Sequence, residues 1–433
     1  MKKLLFFLST MVLCFSSGLF AIEEITGKIN SGDTAWVLIS TALVMLMTPG
    51  LAFFYGGMVR KKNILSILMQ CFTMIALISI HWVLLGYSLS FSNGNKFLGS
   101  LNWLGLKNIG LGSGPYSDTI PHLIFVMFQG MFAIITPALM IGTFIERMKY
   151  KFFILFSLLW ATFIYAPVCH WVWAKDGWLA SLGALDFAGG TVVHINAGFS
   201  ALAIAILLGQ RKNTTLGPTP HNLTYTLLGT ALLWFGWFGF NAGSALAANS
   251  LAANAFLVTN TAAATAAISW IIVEWIFNGK PTTLGMATGA VAGLVAITPA
   301  SGFVDVIGSI IIGALVSPIC FFMISFVKNI FKYDDSLDVF GVHGIGGVVG
   351  ALLTGIFANP AINEAGKGML FGNPGQFGIQ FISVISVIAY SFIGTIIIFK
   401  LLNLFIRARV TDKEEAIGLD LTEHNERAYT LVD

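Results

Sequence analysis

Residues 63–91, NILSILMQCFTMIALISIHWVLLGYSLSF, run without a single Asp, Glu, Lys or Arg, directly after Arg60-Lys61-Lys62. About 20 apolar residues are enough to cross a bilayer as a helix. A basic triplet at one end marks the cytoplasmic side of such a span. This stretch therefore predicts a transmembrane helix, and ten similar segments surround it.

Those segments are residues 35–59, 120–145, 152–172, 187–210, 223–245, 252–273, 281–303, 306–327, 339–360 and 377–399. Two of them, 281–303 and 339–360, are glycine-rich and only moderately hydropathic. The chain as a whole agrees. Its 433 residues are 56% hydrophobic and 10% charged, against about 25% charged in soluble domains. The mean hydropathy is +0.84. A water-soluble fold is excluded, and a net charge of +3 offers no basic surface for nucleic acid.

The first 21 residues read as a signal peptide: Met1-Lys2-Lys3, an apolar run from Leu4 to Leu13, then Ser16-Ser17-Gly18 and Ala21. Ten apolar residues are too few for a signal anchor to span comfortably. Cleavage there leaves the mature N-terminus outside the cytoplasm. Eleven spans then place the two ends on opposite sides. Basic residues support this, with Arg60-Lys61-Lys62, Arg147, Lys149, Lys151, Arg211, Lys212, Lys280, Lys328 and Lys332 in connections predicted to be cytoplasmic. The opposite connections hold only Lys96, Lys107, Lys175 and Lys367. The expected organisation is an all-α polytopic membrane domain over residues 22–406, N-out and C-in, with a cytoplasmic tail over 407–433.

An internal echo refines the architecture. Asp186 opens the fifth span with His194 inside it, and Asp338 opens the tenth with His343 inside it. Five spans plus five implies an inverted repeat, which puts a substrate path at the interface of the halves. Ionisable groups within spans are costly and line paths or face partners; histidine lowers that cost by remaining neutral. His194 and His343 are thus the candidate pore residues, each able to satisfy the other by one N–H···N bond. His81 and His170 have no such counterpart and read as structural. Asp186 reads as a helix cap, as electrostatic support for a cation, or as both; Asp338 reads as a cap or loop contact.

Aromatic spacing singles out further positions. Phe128 and Phe132 share one helix face, as do Phe240 and Ser244, and Trp173 ends the fourth span. Spacing alone is equally that of an interfacial belt or core stripe. Glycine inside the spans, as at Gly189-Gly190 and Gly341 to Gly350, reads as close helix packing. Cys14, Cys71, Cys169 and Cys320 lack metal-ligand spacing. With no nucleophile–base pair and no phosphate-cradling loop, the sequence predicts neither an enzyme nor a cofactor or metal.

Five strings carry a resemblance to the Amt branch of the ammonium transporter/Rh family over nearly the whole mature chain: PGLAFFYGG at 49–57, FQGMF at 128–132, GALDFAGGTVVHIN at 183–196, GWFGFNAGS at 236–244 and DVFGVHG at 338–344. The resemblance implies an inner (plasma) membrane homotrimer with one ammonium path per subunit. Trp173, Phe128 and Ser244 match the outer recruitment site, and Asp186 the acidic residue behind it. Phe132 and Phe240 match the paired rings that close the pore mouth; His194 and His343 match the twin histidines. Trp173 and Ser244 favour Amt over Rh. The Trp173–Asp186 connection is one residue longer than the family's and contains Lys175 and Asp176, a departure that bears on affinity. Gly418-Leu-Asp420 and His424 to Tyr429 match a tail that responds to PII-type regulators, the plainer reading being a solvated terminus. Electrogenic transport, an electroneutral Rh-like ammonia or carbon dioxide channel, and a transceptor signalling through the tail all remain open at this level.

Overall fold

The structure, a computed structural model, describes residues 28–212 and 220–429; the expected signal peptide lies outside them. Among the described residues, ten helices are long and apolar enough to cross a membrane: α1 Ser31–Met58, α2 Lys61–Phe91, α3 His122–Phe144, α4 Tyr150–Leu182, α5 Gly190–Leu208, α6 Leu223–Ala245, α7 Ser250–Asn278, α9 Val306–Phe331, α10 Phe340–Phe357 and α11 Gly375–Asn403. Between α7 and α9 stands the shorter apolar helix α8, Thr283–Ile297. A small antiparallel hairpin, β1 Ser113–Gly114 with β2 Ser117–Pro121, precedes α3.

Short polar residues start the helices. Asn30, Asn222, Asn249, Thr282 and Asp305 each accept a backbone N–H from the first turn of α1, α6, α7, α8 and α9, satisfying donors that helix geometry leaves orphaned. Large apolar side chains face outward on the flanks, including Phe72 at 54%, Phe277 at 63% and Ile397 at 52% exposure. Such faces suit lipid, where burial is no longer demanded. The protein is a multi-pass membrane protein.

Packing at the centre depends on small residues. Gly229 of α6 lies so close to α1 that a Cβ there would strike the Phe54 amide. Gly198 of α5 likewise abuts the backbone of Gly344 in α10, and Gly347 of α10 abuts Gly190 and Ile195 of α5. This reciprocal crossing joins the two histidine-bearing helices directly.

Two expectations need correction in detail. The eighth segment leaves its helix at Ile297, not at residue 303, because Pro299 follows and cannot donate to the helix. Its carbonyl accepts the Phe187 N–H instead, and its ring packs on Gly190. Of the two readings of Asp338, cap and loop contact, the structure has the contact: it sits at φ 58 and its carboxylate pairs with Lys328 at 2.6 Å. The cap of α10 is Asp335, whose carboxylate accepts Phe340 N at 2.7 Å and the Thr143 hydroxyl at 2.8 Å. Asp186 to His194 and Asp335 to His343 are the same interval, so the echo is real but its acidic partner lies three residues earlier.

The tail folds back. Helices α12 Asp412–Ile417 and α13 Leu419–His424 lie against the start of α2. Asp420 accepts Ser66 N at 2.9 Å, and Leu419 N donates to Asn63 at 2.8 Å. The plainer reading of a solvated terminus therefore does not describe residues 407–429.

Candidate functional site: an aromatic mouth above a histidine-lined lumen

The α-helical part of α4 ends at Trp173, partly exposed, whose indole N–H donates to the Asp186 carbonyl at 2.9 Å. Its ring meets Phe132 edge-on, centroids 5.6 Å apart at 86°. The helical spacing of Phe128 and Phe132 brings their rings to 5.0 Å. Phe132 also packs on Phe240 of α6 at 4.4 Å. These three phenyl rings are fully buried and close the space beneath Trp173.

Ser244 follows on the same face of α6 as Phe240, next to Gly243, where the lack of a side chain leaves room for the edge of Phe128. The Ser244 hydroxyl donates its proton to the Phe240 carbonyl at 2.9 Å. Its oxygen lone pairs remain available to an N–H donor. Trp173 and Phe128 both pack on Phe132, and Ser244 follows the Gly243 that abuts Phe128, so this end of the helices offers π-faces and a hydroxyl acceptor.

Below the rings, Phe240 packs near-parallel on His194 at 6.0 Å. His194 also stacks on Trp237 at 5.4 Å and on His343 at 5.2 Å. The two Nδ1 atoms are 3.2 Å apart. Both histidines sit on wide π-helical turns, Gly190–Ile195 and Phe340–Gly344, a local geometry that recurs at functional sites. Only one Nδ1 can carry the shared proton. In neutral imidazoles the donor then has a bare Nε2 and the acceptor an Nε2–H. His194 Nε2 is buried without a hydrogen-bond partner. Together with His343 it lines a narrow cavity otherwise walled by apolar groups, among them Leu51, Ile135, Leu233, Trp237 and Val291. Such a lumen admits a small neutral molecule and opposes a bare ion.

Asp186 does not open onto this space. Its carboxylate, 7% exposed, accepts the N–H groups of Gly189, Gly190, Thr191 and Val192 at 2.7–3.0 Å. Burial pushes its carboxyl up, and the four donors oppose that. Through its carbonyl it also holds Trp173. It fixes both the indole and the turn that carries His194.

The remaining histidines lie elsewhere. His81 bonds to Thr162, and His170 lies between two backbone carbonyls near Asp176. Lys175 extends over the Tyr116 ring, 6.0 Å from its centroid. Among the described residues no cluster of three or more His, Cys, Asp or Glu has metal-binding geometry. Sequence reasoning missed Trp237, whose N–H is held by Thr298 at 2.8 Å while its ring stacks on His194. It also missed Asp335, which the Asp186–His194 interval points to.

Known proteins resemble this chain over most of its length. A family model described as the Ammonium Transporter Family matches residues 35–429. The ammonium transporter of Bacillus subtilis (strain 168) is 53% identical over 399 residues, 92% of this chain and 98% of that protein. That of Aquifex aeolicus (strain VF5) is 49% identical over 428 residues, 98% of this chain and 99% of that one. The crystal structure of Candida albicans Mep2 superposes with a TM-score of 0.84 at 38% identity, covering 89% of this chain and 88% of that chain.

Proposed function

The chain belongs to the ammonium transporter family, and on that premise we propose that it recruits the ammonium cation at Trp173, Phe128 and Ser244, strips a proton near Phe132 and Phe240, and conducts ammonia past His194 and His343. One observation carries this reading: the unbroken ring sequence Trp173, Phe132, Phe240, His194, His343, with no step longer than 6.0 Å.

Each station answers a physical demand. The cation loses hydration on leaving water, and a cation–π contact returns roughly 0.5–2 kcal/mol. The Ser244 oxygen accepts one N–H. Potassium is of similar size but has no N–H to donate and no proton to lose, so the hydroxyl and the deprotonation step discriminate between them. Past the phenyl rings the walls are apolar, and ammonia crosses where ammonium cannot. Its proton passes to a bare imidazole nitrogen, through the Nδ1–Nδ1 contact, and rejoins ammonia on the far side. Asp186 holds the recruiting indole and the His194 turn. In this reading the role is transport rather than catalysis.

The same proposal places the chain in the inner (plasma) membrane as a homotrimer with one path per subunit. The basic residues favour N-out and C-in, after removal of residues 1–21. The docked tail, which touches α2 through Asp420 and Leu419, is then a cytoplasmic surface for a PII-type regulator. The test is methylammonium uptake in proteoliposomes with potassium as competitor. Saturable uptake unaffected by excess potassium supports the proposal; potassium entering in its place sinks it.

A further inference from the structure

His170 and the Lys175-Asp176 step, near the end of α4, are features that the path leaves unused. His170 lies three residues before Trp173 and is fully buried. Its Nδ1 is 3.0 Å from the Ser90 carbonyl oxygen and its Nε2 is 2.7 Å from that of Asn95. Carbonyl oxygens only accept. A neutral imidazole has one N–H and one bare nitrogen, so it satisfies only one of them. Its other nitrogen would press a lone pair against a lone pair on a ring that is itself fully buried. Only the imidazolium has two donors. A third side supplies the counter-charge: Asp176 Oδ1 lies 3.6 Å from Nε2, while its Oδ2 accepts Gly94 N at 2.9 Å.

These contacts tie the outer end of α2 and the turn after it to the end of α4. Trp178 N donates to the Lys96 carbonyl and the Trp171 indole to that of Phe97. The other titratable groups nearby are Lys175, laid over Tyr116 from the hairpin, Lys96 on the turn, Tyr87 in α2, and Tyr165 and Cys169 in α4. Asp176 belongs to the connection that is one residue longer than the family resemblance leads one to expect.

We propose that His170 is held as an imidazolium between the turn after α2 and Asp176, and that this ion-paired clamp positions Trp173 for cation recruitment. His170 and Asp176 are positioning residues; neither lines the path. Asp176 also neutralises the imidazolium, which would otherwise repel the incoming cation. The clamp's effect on transport rests on the recruiting role proposed for Trp173.

The test uses full-length protein. In a 15N-histidine spectrum compared with that of His170→Gln, both His170 ring nitrogens carry protons at neutral pH; a bare nitrogen there overturns the proposal. In proteoliposomes, the apparent KM for methylammonium rises at least about threefold in His170→Gln, which removes the positive charge and the two opposed N–H donors. Asp176→Asn, which keeps an acceptor for Gly94 N but removes the counter-charge, raises it as well. An apparent KM unchanged in both variants overturns the proposal, whatever happens to maximal rate. If Trp173→Leu leaves KM unaltered, the recruitment reading fails instead, and the nitrogen spectrum alone decides the clamp.

Discussion

His194 and His343 face each other Nδ1 to Nδ1 at 3.2 Å, from helices that cross backbone to backbone at Gly198 and Gly344. The contact is a single proton's width, and it joins two rings whose outer nitrogens differ, one bare and one protonated. Uptake of a proton at the bare outer nitrogen, passage of the shared proton between the rings and loss of the second ring's outer proton carry one proton through the pair and invert its tautomers. That is the chemistry a proton relay beside an apolar ammonia path requires.

The crossing itself is the first thing to perturb. Gly198→Ala adds a methyl where the Gly344 backbone already stands, so α5 and α10 must separate. Overpacking costs about 1–3 kcal/mol, and the histidine contact opens with it. We expect lower thermal stability and loss of methylammonium uptake. Gly378→Ala in α11, where nothing lies within 4 Å of the added carbon, should leave both unchanged.

Trp173 is expected to act on affinity. Trp173→Leu keeps an apolar side chain but removes the π-face and the N–H bond to Asp186. A loss of about 1–2 kcal/mol in cation binding corresponds to a rise in apparent KM of roughly 5- to 30-fold. Maximal flux should change much less, since the gate and lumen are intact. Concentration-dependent uptake separates the two; an unaltered KM removes Trp173 from the site.

Asp186→Asn tests position against direct contact. The amide has one acceptor oxygen where four N–H groups converge, and its own N–H groups would face donors. The expected outcome is destabilisation by about 2–4 kcal/mol, read as a lower melting temperature in detergent. A fully stable variant with only a raised KM would instead put the carboxylate in contact with the cation.

A pH-dependent contribution should come from Glu146, in the connection between α3 and α4. Its side chain is 1% exposed and pairs with Arg60 at 2.6 Å, with Arg211 at 3.5 Å. Burial pushes its carboxyl up, but Arg60 and Arg211 outweigh this and hold it below the usual range. A lowered carboxylate pKa contributes stability above the unfolded value, lost as pH falls through the folded one. Melting temperature should therefore drop on acidification below the ordinary glutamate range. Glu146→Gln should flatten that drop while costing about 3 kcal/mol at neutral pH. Parallel acid transitions in both proteins would rule out this contribution.

Much of this is legible in the residues. Uninterrupted apolar runs such as 63–91 admit only one solvent, and the basic residues at their ends follow a simple rule. The histidine pair stands out because each lies inside a span at a matched place in the two halves, with an acidic residue ahead of it. What escapes is local or three-dimensional. Pro299 ends α8 early, yet apolarity continues past it to Phe303, so hydropathy cannot see the break. Asp338 resembles a cap because it is adjacent to the helix; the cap is Asp335, and the chain turns through the left-handed conformation at Asp338 before α10 begins. Trp237 is one tryptophan among 11, and only the crossing of α5 and α6 shows that it stacks on His194.

The central claim is that the proton and ammonia cross separately, with His194 and His343 carrying the proton. The most direct measurement is the charge moved per methylammonium taken up, from simultaneous current and tracer uptake in reconstituted bilayers. The account predicts one elementary charge per methylammonium in the native protein. It also predicts that His194→Ala/His343→Ala loses the selective current. Uptake without net charge, or an unchanged selective current in the double variant, would contradict it.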